Sequence, residues 1–193
     1  KIQEILPLAV TIHHPITKDH RLEMHNAANW KEKLSSKRWH NFLPMQKRVA
    51  PKLKKIICVS TPSKEDVIDE FHVDPNKIEV ILNGIDINTF NLDSFDKREE
   101  NKIITTASAD IPLKGLKYLV KALPKILDSF PKTTLTVIGK YPVDSEVGKL
   151  IEDLKLTDVI TFRSGLSEKE IVDLYHSSQI AVIPSLYEGF GFP

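Results

Sequence analysis

Short apolar segments alternate with amphipathic segments along the second half of the chain, and this alternation limits the fold more than any other feature. The apolar runs KIITTAS, LTVIG, VITF and IAVIPS are separated by segments in which apolar residues recur every three or four positions. In LKYLVKALPKILDSF, for example, Leu116, Leu119, Val120 and Leu123 fall on one helical stripe. Buried strands separated by amphipathic helices predict a parallel sheet with helices on both faces.

The first half of the chain has a weaker version of the same pattern. Residues 20–55 are predicted to be mostly helical but polar. Ser63 is the predicted N-cap of a helix, because Glu65 and Asp66 would then lie in its positively polarised first turn. The predicted strands are LPLAVTI (6–12), IICVS (56–60) and KIEVIL (77–82).

A charged segment poor in aliphatic residues divides the two halves. We therefore expect an α/β chain with two Rossmann-like modules, both incomplete in this sequence. Residues 1–90 would be part of an N-terminal module, and residues 91–101 a linker. Residues 102–193 would be part of a C-terminal module.

Composition limits the functional classes. The formal net charge of +1 argues against a dedicated nucleic-acid binder. Cys58 is the single cysteine, so it cannot form an internal disulfide, and its apolar neighbours favour a core role over a nucleophilic one. Residues 6–12 are too short to span a bilayer and lack the basic start of a signal peptide. A cytoplasmic location is expected.

Two loops at predicted strand ends, where parallel sheets bind ligands, contain unusual residues. SADIPLKG ends in Lys114 and Gly115, and a positive charge beside free backbone N–H groups suits a diphosphate, although a solvated turn is the alternative. SLYEGFG places Glu188 beside glycines. A carboxylate repels phosphate and suits sugar hydroxyls better; a helix cap is the alternative.

The segment TIHHPI places His13 and His14 at another strand end. Adjacent side chains on an extended backbone point to opposite sides, so these histidines cannot easily share one metal ion. A cleft-facing hydrogen-bond donor and a pair of surface imidazoles both remain open. No set of His, Cys, Asp and Glu has metal-ligand spacing, and no metal or other cofactor is expected.

Residues 30–55 are strongly basic. They contain nine Lys and Arg against one Glu, with Trp30, Trp39 and Phe42 interleaved. This pattern is typical of a solvated helical face, and it also fits a peripheral contact with anionic lipid or an acidic acceptor.

Four stretches, in order, resemble the retaining glycosyltransferases of the GT-B fold, in particular their large group-one (family-four) class. They are TIHHPI; CVSTPSKEDVIDEF with KIEVILNGIDINTF; SADIPLKGLKYLVKAL; and VITFRSGLSEKEIVDLYHSSQIAVIPSLYEGFGFP. The resemblance implies transfer of a sugar, with retention and without a metal, from a nucleotide-diphosphate sugar. The acceptor would be a glycan, a lipid or a small molecule. Residues 1–90 would then be the last part of the acceptor-side domain, and residues 102–193 the first part of the donor-side domain.

The resemblance also implies roles for individual residues. Glu188 matches a glutamate that contacts donor-sugar hydroxyls, and His13 matches a histidine near the reacting sugar. Lys114 matches a lysine that neutralises the leaving diphosphate. These three are the predicted catalytic residues. The predicted donor-binding residues are Gly189, Phe190, Gly191, Ser108, Gly115, Arg163, Ser164, Gly165 and Leu166.

The sequence departs from the family pattern at two places. Many members have Gly-Arg where this chain has Ser108 and Ala109, so diphosphate binding would depend more on Lys114 and loop amides. The family's second glutamate, eight positions after Glu188, would fall beyond Pro193, and this stretch alone is expected to be inactive. A nucleotide-sugar epimerase of similar shape, or a non-catalytic module that binds nucleotide sugar or a partner chain, are the alternatives.

Overall fold

The computed structural model describes residues 6–27, 29–91, 98–107, 112–143 and 145–191. The chain forms two compact units. The first comprises Lys1–Gly84 with Glu188–Phe192, and the second comprises Ile85–Tyr187 with Pro193.

The first unit contains a parallel sheet flanked by helices. Its strands are β1 (Ala9–Ile12), β2 (Lys55–Cys58) and β3 (Ile78–Val80), and its helices are α1 (Thr17–Asn26), α2 (Trp30–Trp39), α3 (Leu43–Val49) and α4 (Thr61–Phe71). The strand order is β1-β2-β3, with Val10 opposite Ile56 and Ile56 opposite Ile78. The predicted parallel arrangement is confirmed for this unit.

The core of the first unit lies between the central strand β2 and α4. Ile56 and Cys58 of β2 and Val67 of α4 are each 0% exposed, and Phe71 packs in the same cluster. Burial raises the pKa of the Cys58 thiol, although the nearby Lys64 acts in the opposite direction. Cys58 is thus a core residue, as its sequence context predicts.

The second unit is also a parallel α/β assembly. Its strands are β4 (Glu99–Thr106), β5 (Thr134–Ile138), β6 (Ile160–Arg163) and β7 (Ser178–Ala181), and its helices are α5 (Leu116–Ser129), α6 (Glu146–Asp153) and α7 (Glu168–Ser177). The strand order is β6-β5-β4-β7, and every pairing among these strands is parallel. The regular alternation in the sequence therefore predicts this architecture correctly.

Helix α5 buries the stripe that its periodicity predicts. Leu116, Leu119, Val120 and Leu123 are all buried and share one cluster with Leu135 of β5. Burial of each such side chain stabilises the folded state by about 1.5–3 kcal/mol. Helix α7 begins at a Ser167 cap, which is completed by Glu170 in a capping box.

The cap of α4 differs from the prediction, because Ser60 and not Ser63 is the N-cap. Ser60 has an extended backbone, and its Oγ accepts a hydrogen bond from Ser63 N at 3.1 Å. Pro62 lies in the first turn, where its fixed φ suits the helix and its missing N–H removes no intrahelical bond. The helix therefore begins three residues earlier than Glu65 and Asp66 suggest.

The last strand, β7, also differs from the prediction. It ends at Ala181, whereas the apolar run continues to Ile183, and Gln179, Ile180 and Ala181 are exposed. The exposure arises because β7 is an edge strand of the described sheet and pairs on one side only, with β4. Strand β4 begins at Glu99, inside the segment predicted as a linker.

A polar cluster packs α1 against α2. Ser36 Oγ donates to Glu23 Oε2 at 2.7 Å, and His40 Nδ1 donates to Ser36 O at 2.9 Å. The rings of His20 and His40 have centroids 4.6 Å apart. Burial lowers the pKa of His20, His40 lowers it further, and Glu23 opposes both. The folded protein therefore favours a neutral His20.

This cluster makes stability depend on pH. Because the pKa of His20 is lower in the folded protein than in the unfolded chain, the unfolded state binds more protons as the pH falls. We expect thermal stability to decrease from about pH 7 to pH 5, and to decrease less in His20→Gln. His25→Gln, at an exposed position on the same helix, is the control. Identical pH profiles for His20→Gln and the wild type would contradict this expectation.

Candidate functional site

Three segments of the first unit meet at the carboxyl end of β1. His13 and His14 follow directly after β1, and Ser60 starts the first turn of α4 directly beyond β2. The third segment is Glu188–Gly191, which belongs to the same unit although Gly189 is 129 residues from Ser60 in the chain. The meeting point therefore depends on folding and not on sequence proximity.

Two serine hydroxyls hold two main-chain carbonyl groups at this point. Ser60 Oγ lies 2.5 Å from Gly189 O, and Ser63 Oγ lies 2.6 Å from His13 O and 2.9 Å from Gly189 O. A hydroxyl donates one proton, so the shortest contacts assign the Ser60 proton to Gly189 O and the Ser63 proton to His13 O. The first turn of α4 thus binds both the strand end and the glycine loop.

Gly189 packs directly on the His13–His14 peptide. A Cβ at this position would lie 2.8 Å from His13 O and 3.1 Å from both Cβ and Nδ1 of His14. A backbone oxygen at that distance cannot yield without moving the end of β1. The structure therefore gives Gly189 a packing reason for being glycine, in addition to its predicted donor-binding role.

His14 supports this contact from the other side. Its Nε2 lies 3.1 Å from Asp19 Oδ2 on α1, and its side chain is half-buried, whereas His13 is exposed. Asp19 therefore orients the imidazole that lies against Gly189. The sequence predicts no role for Asp19 or His14, and it predicts Ser63 only as a helix N-cap. The one signal for Ser60 and Ser63 is that the segment VSTPS lies at the end of a strand.

In the second unit, the carboxyl ends of β4, β5 and β6 pack tightly. Gly139 N donates to Arg163 O at 2.8 Å, and a Cβ on Gly139 would lie 2.9 Å from Ala107 O. Arg163 ends β6 and is exposed. After it, Gly165 has a left-handed φ of +69° with no atom near its missing Cβ. The predicted donor-binding residues of this group are Arg163, Ser164, Gly165 and Leu166.

Lys114 ends a short 3-10 turn, Pro112–Lys114, immediately before α5, and it is half-buried. Gly115 follows with a φ of +67°, and a Cβ there would overlap Pro184 O. Leu186 N donates to Leu113 O at 2.8 Å, which ties this turn to the segment after β7. Lys114 therefore lies on a turn that two backbone contacts fix.

The predicted site residues fall into two groups. His13, Glu188, Gly189, Phe190 and Gly191 belong to the first unit. Lys114, Gly115 and residues 163–166 belong to the second unit. Ser108 lies outside the described residues. Within the described part of the chain, no group of three or more His, Cys, Asp or Glu residues could hold a metal ion.

The close packing of Gly189 can be tested by adding one methyl group. Gly189→Ala is expected to displace the Glu188–Gly191 segment, since the new Cβ would meet His13 O. Faster backbone amide exchange in this segment, measured by mass spectrometry, would report the displacement. Gly84→Ala is the matched control, because no atom lies within 4 Å of its added Cβ. Unchanged exchange in Gly189→Ala would show that the contact does not hold the segment.

Two family models together match almost the whole chain. Residues 2–89 match the family model described as Glycosyltransferase Family 4, and residues 88–193 match the model described as Glycosyl transferases group 1. An MMP alpha-(1->4)-mannosyltransferase of Mycolicibacterium hassiacum is 38% identical over 97% of this chain and 44% of its own length. The chain spans about half the length of the curated relatives it matches.

Solved structures show the same fold. WaaG, a glycosyltransferase involved in lipopolysaccharide biosynthesis, matches with a TM-score of 0.69 at 15% identity, over 94% of this chain and 51% of its own. A mutant of S. aureus TarM, solved in complex with Fondaparinux, alpha-GlcNAc-glycerol and UDP, matches with a TM-score of 0.60 at 18% identity, over 95% of this chain and 33% of its own. The predicted GT-B class of α/β fold is confirmed.

The two family matches adjoin and together run from residue 2 to residue 193. The family predicted from the strand-end loops is therefore confirmed: the chain belongs to the glycosyl transferases group 1 family.

Proposed function

We propose that the full-length protein transfers a sugar from a nucleotide-diphosphate sugar to a glycan or lipid acceptor, with retention of configuration. The observation that carries the proposal is the meeting of the Glu188 loop with the His13 strand end, held by Ser60 and Ser63. Residues 1–90 would be the acceptor-side module, and residues 102–193 the donor-side module. The mannosyltransferase named above makes mannose the first donor sugar to test.

Each of the three predicted catalytic residues would have a different role in this reaction. As the bond from the sugar to the diphosphate breaks, negative charge grows on the leaving diphosphate, and a fixed positive charge stabilises it. Lys114 would supply that charge. Glu188 would accept hydrogen bonds from sugar hydroxyls, and His13 would lie beside the reacting sugar. None of these roles requires a metal ion.

The setting of Lys114 supports its proposed role. It lies directly before the N-terminus of α5, a 14-residue helix whose N-cap, Gly115, has no side chain to satisfy the first N–H groups. These N–H groups and the helix dipole favour an anion at the same place as the lysine. The UDP bound in the TarM complex carries a diphosphate, the kind of anion that such a turn suits.

Two other functions make different predictions. An epimerase would interconvert nucleotide sugars without an acceptor, and a binding module would bind them without turnover. UDP-, GDP- and ADP-sugars can be screened against the full-length protein by thermal shift, since a ligand that binds the folded state raises its melting temperature. Each stabilising donor would then be incubated with and without acceptors. Transfer that requires both donor and acceptor supports the proposal, whereas epimerisation alone would contradict it.

Lys114→Ala tests the proposed stabilisation of the leaving group. Loss of one preorganised charge partner is expected to lower kcat by about 100- to 1,000-fold. Lys117→Ala is the matched control: it also removes a lysine, from the first turn of α5, but Lys117 forms an ion pair with Glu146. Equal kcat values for Lys114→Ala and the wild type would remove Lys114 from the mechanism.

We also propose that α2 contacts an anionic membrane surface. Trp30, Leu34 and Trp39 are 69%, 49% and 74% exposed, and with Lys31 and Arg38 they line a surface cavity of about 550 Å³. We call these five residues the α2 face. Among the residues of α2, all of which the structure describes, Ser36 is the buried one.

The composition of the α2 face favours lipid over other partners. Tryptophan prefers the boundary between hydrocarbon and headgroups, and lysine and arginine are attracted to anionic headgroups. Both residue types lie on one short helix. No described helix is long and apolar enough to cross a bilayer.

Vesicle sedimentation tests the α2 face. The protein is expected to sediment with vesicles that contain phosphatidylglycerol and not with pure phosphatidylcholine, and a Trp30→Ala/Trp39→Ala double variant is expected to lose most of this binding. Tyr118→Ala, which removes a 55% exposed aromatic side chain of the second unit, is the control. Absence of binding to anionic vesicles, or equal binding by the double variant, would overturn the proposal.

A further inference from the structure

We propose that Ser60 and Ser63 are positioning residues, which set the sugar contacts of Glu188 and His13 by holding main-chain carbonyl groups. The inference rests on the proposed function, since it assigns the serines to the sugar half of the same site. Neither side chain is proposed to touch the substrate.

The hydroxyl of Ser60 forms two hydrogen bonds at once, one as acceptor and one as donor. It accepts a hydrogen bond from Ser63 N at 3.1 Å, which caps α4, and it donates to Gly189 O at 2.5 Å. A hydroxyl can do both, because it has one proton and two lone pairs. An aspartate could replace the first function but not the second, because a carboxylate accepts hydrogen bonds without donating any.

Ser63 completes the pair from inside the helix. Its side chain is 0% exposed, and its hydroxyl donates to His13 O at 2.6 Å. Its backbone N–H is the group that Ser60 caps. One turn of α4 therefore fixes both the residue next to Glu188 and the residue that carries the predicted sugar-contacting imidazole.

The loop needs such an anchor because of its glycines. Glycine loses more conformational entropy on ordering than any other residue, and Glu188 precedes Gly189 and Gly191 in the chain. Gly189 is held at its carbonyl by Ser60 and at its α-carbon by the His13–His14 peptide. Without the first contact, Glu188 would sample more orientations, and its hydrogen bonds to a sugar would cost more entropy to form.

Variants at Ser60 separate positioning from helix capping. Ser60→Thr keeps both the cap and the donated proton, and threonine suits the extended backbone at this position, where φ is −157°. Ser60→Asp keeps the cap and loses the donor. Ser145→Asp is the matched control, because Ser145 caps α6 and its hydroxyl likewise donates to a carbonyl, that of Pro142.

The readout compares two ligands in the full-length protein by calorimetry. The first is the nucleotide-diphosphate sugar that the donor screen identifies, and the second is the corresponding nucleoside diphosphate without sugar. Ser60→Asp is expected to weaken binding of the nucleotide sugar by about 10-fold and to leave the nucleoside diphosphate unchanged. Ser60→Thr and Ser145→Asp are expected to bind both ligands like the wild type.

A loss of affinity for both ligands alike, or the same loss in Ser145→Asp, would overturn the inference. If no nucleotide sugar binds the wild type, the proposed function fails and the role toward the sugar fails with it, and hydrogen exchange then decides whether Ser60 anchors the Glu188–Gly191 segment. Faster amide exchange at residues 188–191 in Ser60→Asp than in Ser60→Thr would support the anchor. Equal exchange in the two variants would overturn it.

Discussion

The parallel pairing of strands is the constraint on which both groups of site residues depend. In the first unit, Ile12 pairs with Cys58, so the chain leaves β1 and β2 at the same level and places His13 near Ser60. In the second unit, Thr106 pairs with Ile138 and Ile138 with Arg163. A shift of one residue in either register would turn side chains to the opposite face of the sheet and separate these loops.

Close backbone contacts at glycines then refine what the register brings together. Gly139 meets Ala107 O, Gly115 meets Pro184 O, and Gly189 meets His13 O. In each case a glycine from one loop lies against a carbonyl of another segment of the same unit. The positions of these loops therefore depend on main-chain packing, and at Gly189 also on the hydrogen bond from the Ser60 hydroxyl.

The architecture could be predicted from the sequence because helical and strand periodicities are local. The stripe from Leu116 to Leu123 predicts α5. Exposure of β7 could not be predicted, since it depends on a position at the sheet edge that no local pattern encodes. The acidic residues at 65 and 66 predict an N-cap at Ser63, whereas the proline at 62 fits the first turn of a helix that is capped at Ser60.

Only some of the residues of the candidate site could be predicted from the sequence. Lys114 and Glu188 stand out beside glycines at strand ends, and their roles stay predictions that come from family resemblance. The bond between Ser60 and Gly189 joins residues 129 positions apart, so no spacing rule could find it. His14 was likewise missed, because its contact with Asp19 depends on how α1 packs against the end of β1.

The burial of Cys58 has a practical consequence for work on this protein. A thiol that is 0% exposed, with a pKa raised by burial, is expected to react more slowly with alkylating reagents than a surface thiol. Since these 193 residues contain no other cysteine, we expect little background labelling of them by maleimide reagents. A spectroscopic label could thus be attached at one chosen surface position while the core of the first unit keeps its native thiol.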